Sequence, residues 1–279
     1  MPYTLSGDGV NNPDRRGLLS GIGLLCLGGT VGPLSLFAGA SPATAQNAVP
    51  AGARRDALVQ LNQVDTARPR VALTFDDGPH PVHTPVLLDI LAQSRARATF
   101  YVIGALVRRY PEIVRRMVAE GHELGNHTWT HPTLSRLGNQ RFLTEIDRTQ
   151  QVIFDTVGHV PVTMRPPYGA ITPRQSSMLA AERNLPTVIW SVDPQDWRRP
   201  GPSVVARRMV RGARPGAIIL AHDIHAPTVR AIPAVLEGLQ SRGLRSVTLS
   251  ELLGWGRWGP QRRRITTRYA ENPHDWHPG

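Results

Sequence analysis

Hydrophobic positions in this chain follow two rhythms. Short, largely apolar stretches occur at 71–75, 98–103, 122–125, 160–164, 187–192, 217–221 and 246–249. Between them lie longer stretches in which apolar residues recur every three to four positions, at 84–94, 110–120, 139–157, 174–184, 203–212 and 227–242. The short stretches predict strands and the long ones amphipathic helices. Regular alternation of the two is the signature of repeated β-α units, whose parallel strands are covered by the intervening helices. With about seven such units, the expected fold class is α/β, a distorted or incomplete (β/α) barrel rather than an open sheet.

The flanks break the rhythm. Residues 1–45 read as an export signal: Arg15-Arg16, a glycine-rich apolar run from Gly17 to about Ala40, and the small-residue site Ala43-Thr44-Ala45, after which Gln46 becomes the first residue. The segment around the two arginines resembles a twin-arginine signal, departing from it at Asp14, Leu18 and Ser20. Gly21, Gly23, Gly28, Gly29, Gly32 and Pro33 interrupt the apolar run, so no transmembrane span is expected in the mature chain. The expected location is the periplasm or exterior of a bacterium. Residues 46–67 are expected to form a linker, 68–253 the folded domain, and 254–279 a mobile basic and aromatic tail carrying Arg262-Arg263-Arg264, Trp255, Trp258 and Trp276.

Composition narrows the chemistry. The only cysteine, Cys26, lies in the export signal, so the mature chain offers neither a disulfide nor a thiolate ligand, and any metal must be held by nitrogen and oxygen. Basic residues outnumber acidic ones, 32 to 21, and every one of them is arginine. Losing the signal leaves the surplus unchanged, because Arg15 and Arg16 leave with Asp8 and Asp14. The surplus suits an anionic partner such as a cell-wall polymer, and equally a genome-wide preference for arginine. Export and the absence of a recognisable binding motif argue against nucleic acid.

Polar clusters stand where the apolar runs end: Asp76-Asp77, His127, Arg165, Asp193 with Asp196, and His222-Asp223. In a β/α barrel these ends converge on one face, where such barrels place their active sites. Adjacent strand residues point to opposite faces, so Asp76 and Asp77 share a site only if the chain turns there, and Gly78-Pro79 supplies a turn. His127 and His131 are four apart, a spacing that brings two imidazoles together on a helical turn. Taken singly, the acids could serve a turn and the histidines a surface. Together they form a set of nitrogen and oxygen ligands with coordination positions left open, as catalytic zinc requires. After Pro166-Pro167, neither of which has an N–H, Tyr168 offers the first free amide, on a stiff loop suited to an oxyanion hole. Strand parity places Leu220 and His222 on one side. Asp196 either begins a turn or orients a neighbouring cation or imidazole.

In order, Thr74-Phe75-Asp76-Asp77-Gly78-Pro79, His127-Thr128-Trp129-Thr130-His131, Arg165-Pro166-Pro167-Tyr168-Gly169, Asp193-Pro194-Gln195-Asp196-Trp197 and Leu220-Ala221-His222-Asp223 resemble the five motifs of the polysaccharide deacetylases, carbohydrate esterase family four, which includes the nodulation-type chitooligosaccharide deacetylases. The resemblance runs from about Arg70 to Leu253. It implies metal-dependent hydrolysis of N-acetylglucosamine units in peptidoglycan, chitooligosaccharide or exopolysaccharide, with release of acetate. It implies Asp77, His127 and His131 as metal ligands, with zinc first and cobalt or another divalent ion as alternatives. Asp76 would be the general base, positioned by Arg165. His222 would be the general acid, supported by Asp196, which could instead meet Arg165. The Tyr168 amide would hold the oxyanion, Leu220 would line the acetyl-methyl pocket and Trp197 would wall the groove. Competing readings are a glycan O-acetyl esterase, a hydrolase of cyclic amides, a non-haem iron oxygenase with its two His and one carboxylate, and a wall-binding protein without catalysis.

Overall fold

The apolar run 71–75 becomes the central strand of a parallel sheet, buried on both faces. In a computed structural model describing residues 48–259, the elements are β1 (Ala48–Pro50), β2 (Gln60–Leu61), β3 (Gln63–Asp65), β4 (Arg70–Asp76), α1 (His83–Gln93), β5 (Thr99–Val102), α2 (Gly104–Arg109), α3 (Pro111–Ala119) and β6 (Glu123–Asn126). They continue with α4 (Asn139–Val157), α5 (Pro173–Arg183), β7 (Thr187–Val188), α6 (Pro202–Gly212), β8 (Ile218–His222), α7 (Ala226–Ser241), β9 (Arg245–Val247) and α8 (Leu249–Leu253). Strand β4 pairs in parallel with β8 along one edge, and with β9 and then β5 along the other. β6 extends the sheet beyond β5. Single-residue bridges carry the circuit onward, from Asn126 to Met164 to Thr187, and from Val192 back to Ile219 in β8. The result is a distorted barrel whose far side is joined by isolated bridges instead of continuous ladders.

Strand parity divides the core. Val71, Leu73 and Phe75 face the helical layer, where they pack with Leu87, Val114, Ile232 and their neighbours. The alternate residue Ala72 faces inward with Tyr101 and Ile218. Thr74 and Asp76 share that parity, so Asp76 looks into the barrel at its carboxyl end. The same rule holds in β8, where Ile219 and Ala221 face the helices and Ile218, Leu220 and His222 face in.

Four expectations are corrected. The strand expected at 160–164 is reduced to the pairing of Met164, since Pro161 has no N–H for a ladder. That expected at 187–192 survives as Thr187–Val188 with one further bridge at Val192. The linker expected at 46–67 is, from residue 48 on, part of the fold. It forms β1, β2 and β3, pairs β2 with β7, and buries Leu61 and Val64 completely. Those apolar side chains fill the barrel's amino end, and their irregular spacing hid them from a search for periodicity. The start of the tail is also anchored: the indole N–H groups of Trp255 and Trp258 donate to the carbonyls of Ala53 and Val160 at 2.7 and 2.9 Å. The export signal and residues 260–279 lie outside the described residues. Among the described residues no helix is long and apolar enough to cross a membrane.

Candidate active site

Asp76 is the last residue of β4 and follows strand parity inward. Asp77 follows it with φ 75°, in the left-handed region, which breaks the alternation and lets a second carboxylate join the same site. The turn continues through Gly78, where a Cβ would collide with the Asp223 carboxylate, so only glycine fits. Asp223 is fully buried, receives the Thr84 hydroxyl at 2.5 Å, and is pushed up to about 7 by that burial.

The two histidines meet by a route other than the expected one. Residues 127–131 form an irregular loop, not a helical turn, with Thr128 at φ 69° and His131 at φ 61°. Neighbouring side chains hold that loop in place. Asn126 accepts from the Thr128 amide, and buried Glu145 on α4 accepts from the Trp129 amide, the Thr130 amide and the Thr130 hydroxyl at 2.9, 2.8 and 2.8 Å. Nothing in the local sequence marks Glu145, which is distant along the chain and reads as one polar position of an amphipathic helix.

His127 Nδ1 lies 2.7 Å from the Arg165 carbonyl oxygen. A carbonyl can only accept, so Nδ1 carries the proton and Nε2 presents its lone pair. That Nε2 and the Nε2 of His131 stand 3.3 and 3.1 Å from Asp77 Oδ1. The Asp77 oxygen is buried and receives no hydrogen bond of good geometry. One ligand atom from each of the three residues lies within 4.8 Å of the others, and among the described residues no fourth ligating side chain belongs to the group. A buried carboxylate oxygen beside an imidazole lone pair is the donor set a divalent cation requires.

On one side of this group, Arg165 fills the barrel interior with none of its surface exposed. Its guanidinium donates to Asp76 Oδ1 at 2.8 Å, to the Thr74 hydroxyl at 2.6 Å, and to the Val188 and Ile189 carbonyls at 3.3 and 3.1 Å. It also stacks over Tyr101, 4.2 Å from the ring centroid. Each guanidinium nitrogen has an acceptor, which is what a buried charge needs. Asp76 Oδ2 is thereby left toward the histidines, 4.0 Å from His127 Nε2.

On the other side stands His222, beside Asp76 in the register of β8 on β4. Its Nδ1 donates to Asp196 Oδ1 at 2.8 Å, and its amide and the Thr228 hydroxyl donate to Asp196 Oδ2 at 2.9 and 2.8 Å. Asp196 therefore meets His222 and not Arg165. Burial pulls the His222 pKa down, but the bonded charge of Asp196, with Asp76 and Asp77 farther off, raises it to about 9. Burial likewise pushes Asp196 up, and His222 outweighs it, so that carboxyl sits below its ordinary value.

A cleft of about 430 Å³ opens over these groups, walled by Tyr168, Trp190, Trp197 and Leu220. Tyr168, at φ 59° and ψ 10°, sets its ring edge-on to His131 at 4.8 Å and is 70% exposed; Trp197 is 48% exposed. Exposed aromatics gathered around one cleft, unlike ones scattered singly, form the kind of patch that marks a ligand-binding groove. His225, which no motif marked, also lines the cleft, its ring 5.8 Å from that of His222.

The sequence profile of the family described as polysaccharide deacetylase matches residues 63–186. A peptidoglycan-N-acetylglucosamine deacetylase of Listeria monocytogenes is 43% identical over 185 residues, 66% of this chain and 39% of that relative, so this chain spans about two fifths of its length. A chitooligosaccharide deacetylase of Bradyrhizobium sp. is 42% identical over 210 residues, 70% of this chain and 95% of the relative. The crystal structure of the Bc1960 peptidoglycan N-acetylglucosamine deacetylase superposes with a TM-score of 0.67 at 33% identity, covering 70% of this chain and 92% of that one. Matched this closely over nearly the whole of a relative, and carrying the motifs at one end of one barrel, the chain belongs to the polysaccharide deacetylase family.

Proposed function

We propose that this protein is a divalent-metal-dependent hydrolase that removes acetyl groups from N-acetylglucosamine units of a glycan, releasing acetate. The observation that carries the reading is the placement of a carboxylate held by Arg165 and an imidazolium held by Asp196 on either side of the Asp77, His127 and His131 group. A base and an acid held on opposite sides of the reacting carbonyl are what amide hydrolysis requires.

Asp77, His127 and His131 would hold the ion, with zinc the first expectation and cobalt an alternative. When bound, the ion supplies positive charge that polarises the acetamide carbonyl and acidifies water. Asp76 takes the proton of the attacking water at Oδ2, because Oδ1 is occupied by Arg165. The Tyr168 N–H donates to the developing oxyanion, a type of contact whose loss typically costs about 10²–10³ in rate. His222, protonated at neutral pH, gives its proton to the departing amine. Leu220 offers the acetyl methyl an apolar wall, and Trp197 and Tyr168 flank the sugar. The substrate is peptidoglycan, chitooligosaccharide or a related exopolysaccharide, met outside the cytoplasm after cleavage before Gln46. The test is acetate release from N-acetylated and O-acetylated oligosaccharides before and after chelation and metal return. Metal-independent release, or release from O-acetyl esters alone, overturns the reading.

A further inference from the structure

A second cleft, also about 430 Å³, lies far from the chemistry just described. Its wall includes Arg54 and Arg55, which precede β2, Asn184, which precedes β7, and Val162, which precedes the Met164 bridge. It therefore opens at the amino ends of the strands, whereas the candidate catalytic residues follow the carboxyl ends. Arg257, Trp255 and Trp258 complete its character.

The charges in this cleft are unevenly compensated. Arg54 spends its guanidinium on both oxygens of Asp56. Arg257 stands 3.7 Å from Glu251, a carboxylate already engaged by Arg97 at 2.6 Å. Arg55 is partly buried and makes no side-chain hydrogen bond or ion pair among the described residues. Burial pushes its pKa down against the smaller opposing pull of Asp56. A desolvated guanidinium without an acceptor is costly, and an arriving oxyanion removes that cost through two parallel hydrogen bonds. The indoles are already fixed by their N–H bonds to Ala53 and Val160, so offering them to a sugar ring loses little side-chain entropy.

We propose that this cleft is a second binding site, for a glycan chain bearing carboxylate or phosphate groups, separate from the catalytic site and independent of the deacetylase reading. Guanidinium groups recognise the oxyanion and the indoles pack against the sugar or polyol between charges.

The test uses the full chain and isothermal titration at 0.15 M salt with four probes: oligogalacturonate, which has carboxylates and no acetamide, oligo(glycerol phosphate), neutral dextran oligomer, and a DNA oligonucleotide of matched charge. Tryptophan fluorescence reports on Trp255 and Trp258 in parallel. The expected result is binding of an anionic glycan probe that weakens roughly tenfold in Arg55→Gln, the scale of one charge-assisted hydrogen bond. Hydrolysis of a short N-acetylated oligomer stays unchanged in that variant. The tighter of the two anionic probes identifies the source of the ligand. Arg257→Gln, at a mostly exposed position, gives a second reading should Arg55→Gln fold poorly. Undiminished binding in both variants, dextran binding as tightly as the anionic probes, or DNA binding as tightly as either, overturns the proposal.

Discussion

Replacing Arg165 with methionine tests the electrostatic logic of the barrel interior. Methionine nearly preserves the volume of the stem but removes the charge and every guanidinium N–H. Asp76, only 3% exposed, then loses its 2.8 Å partner, and the Thr74 hydroxyl and the Val188 and Ile189 carbonyls lose theirs. Removing one member of a buried ion pair typically costs about 3–5 kcal/mol, mostly because the other charge is stranded. For a domain of this size that corresponds to a fall in melting temperature of about 6–20 °C. The reasoning makes a sharper claim about the pair. In an Asp76→Asn background the same Arg165→Met change should cost at least about 1.5 kcal/mol less, because an amide strands no charge. Urea unfolding of the four proteins of this double-mutant cycle, in chelator so that metal affinity does not enter, measures the coupling. If the two substitutions are additive within about 0.5 kcal/mol, Arg165 is a packing residue and not the partner that holds Asp76.

The neighbouring acids should fail differently. Asp77→Asn lowers metal content and acetate release together, whereas Asp76→Asn retains metal and loses turnover, and elemental analysis with acetate assays on the same samples separates them. Asp196→Asn removes the charge bonded to His222, so the alkaline limb of the kcat/KM profile, set near 9 by the imidazolium, should move to lower pH by roughly 1–3 units. The same raised pKa stabilises the fold fully below the unfolded value of 6.5, and that contribution fades as pH rises through about 9, so the wild type should lose its stability advantage over Asp196→Asn across this window. Glu145→Ala releases the loop bearing His131 without removing a ligand, and zinc affinity should drop by about 10–100-fold while excess zinc restores hydrolysis.

Much of this protein was determined by its linear order. Alternating apolar runs and helical periods specify a parallel α/β barrel, because strands buried on both faces and helices buried on one leave different hydrophobic signatures. Strand parity put Leu220 and His222 on one side, and α4 spans residues 139–157 as its period required. The motifs supplied the candidate residues. What the order could not decide lies in contacts between distant segments. The ion pair between Asp76 and Arg165 joins residues 89 apart, and Glu145 steadies a loop that no nearby residue announces. The His127 and His131 spacing suits a helix, yet the loop forms because Glu145 and Asn126 accept its amides in place of a helical ladder. Residues 48–65 joined the barrel because its amino end needed apolar filling, a demand that exists only once the strands have closed around it. Periodicity reports which face of a segment is buried; which segment covers it, and which charge answers which, is settled by packing and by the cost of leaving a buried polar group unpaired.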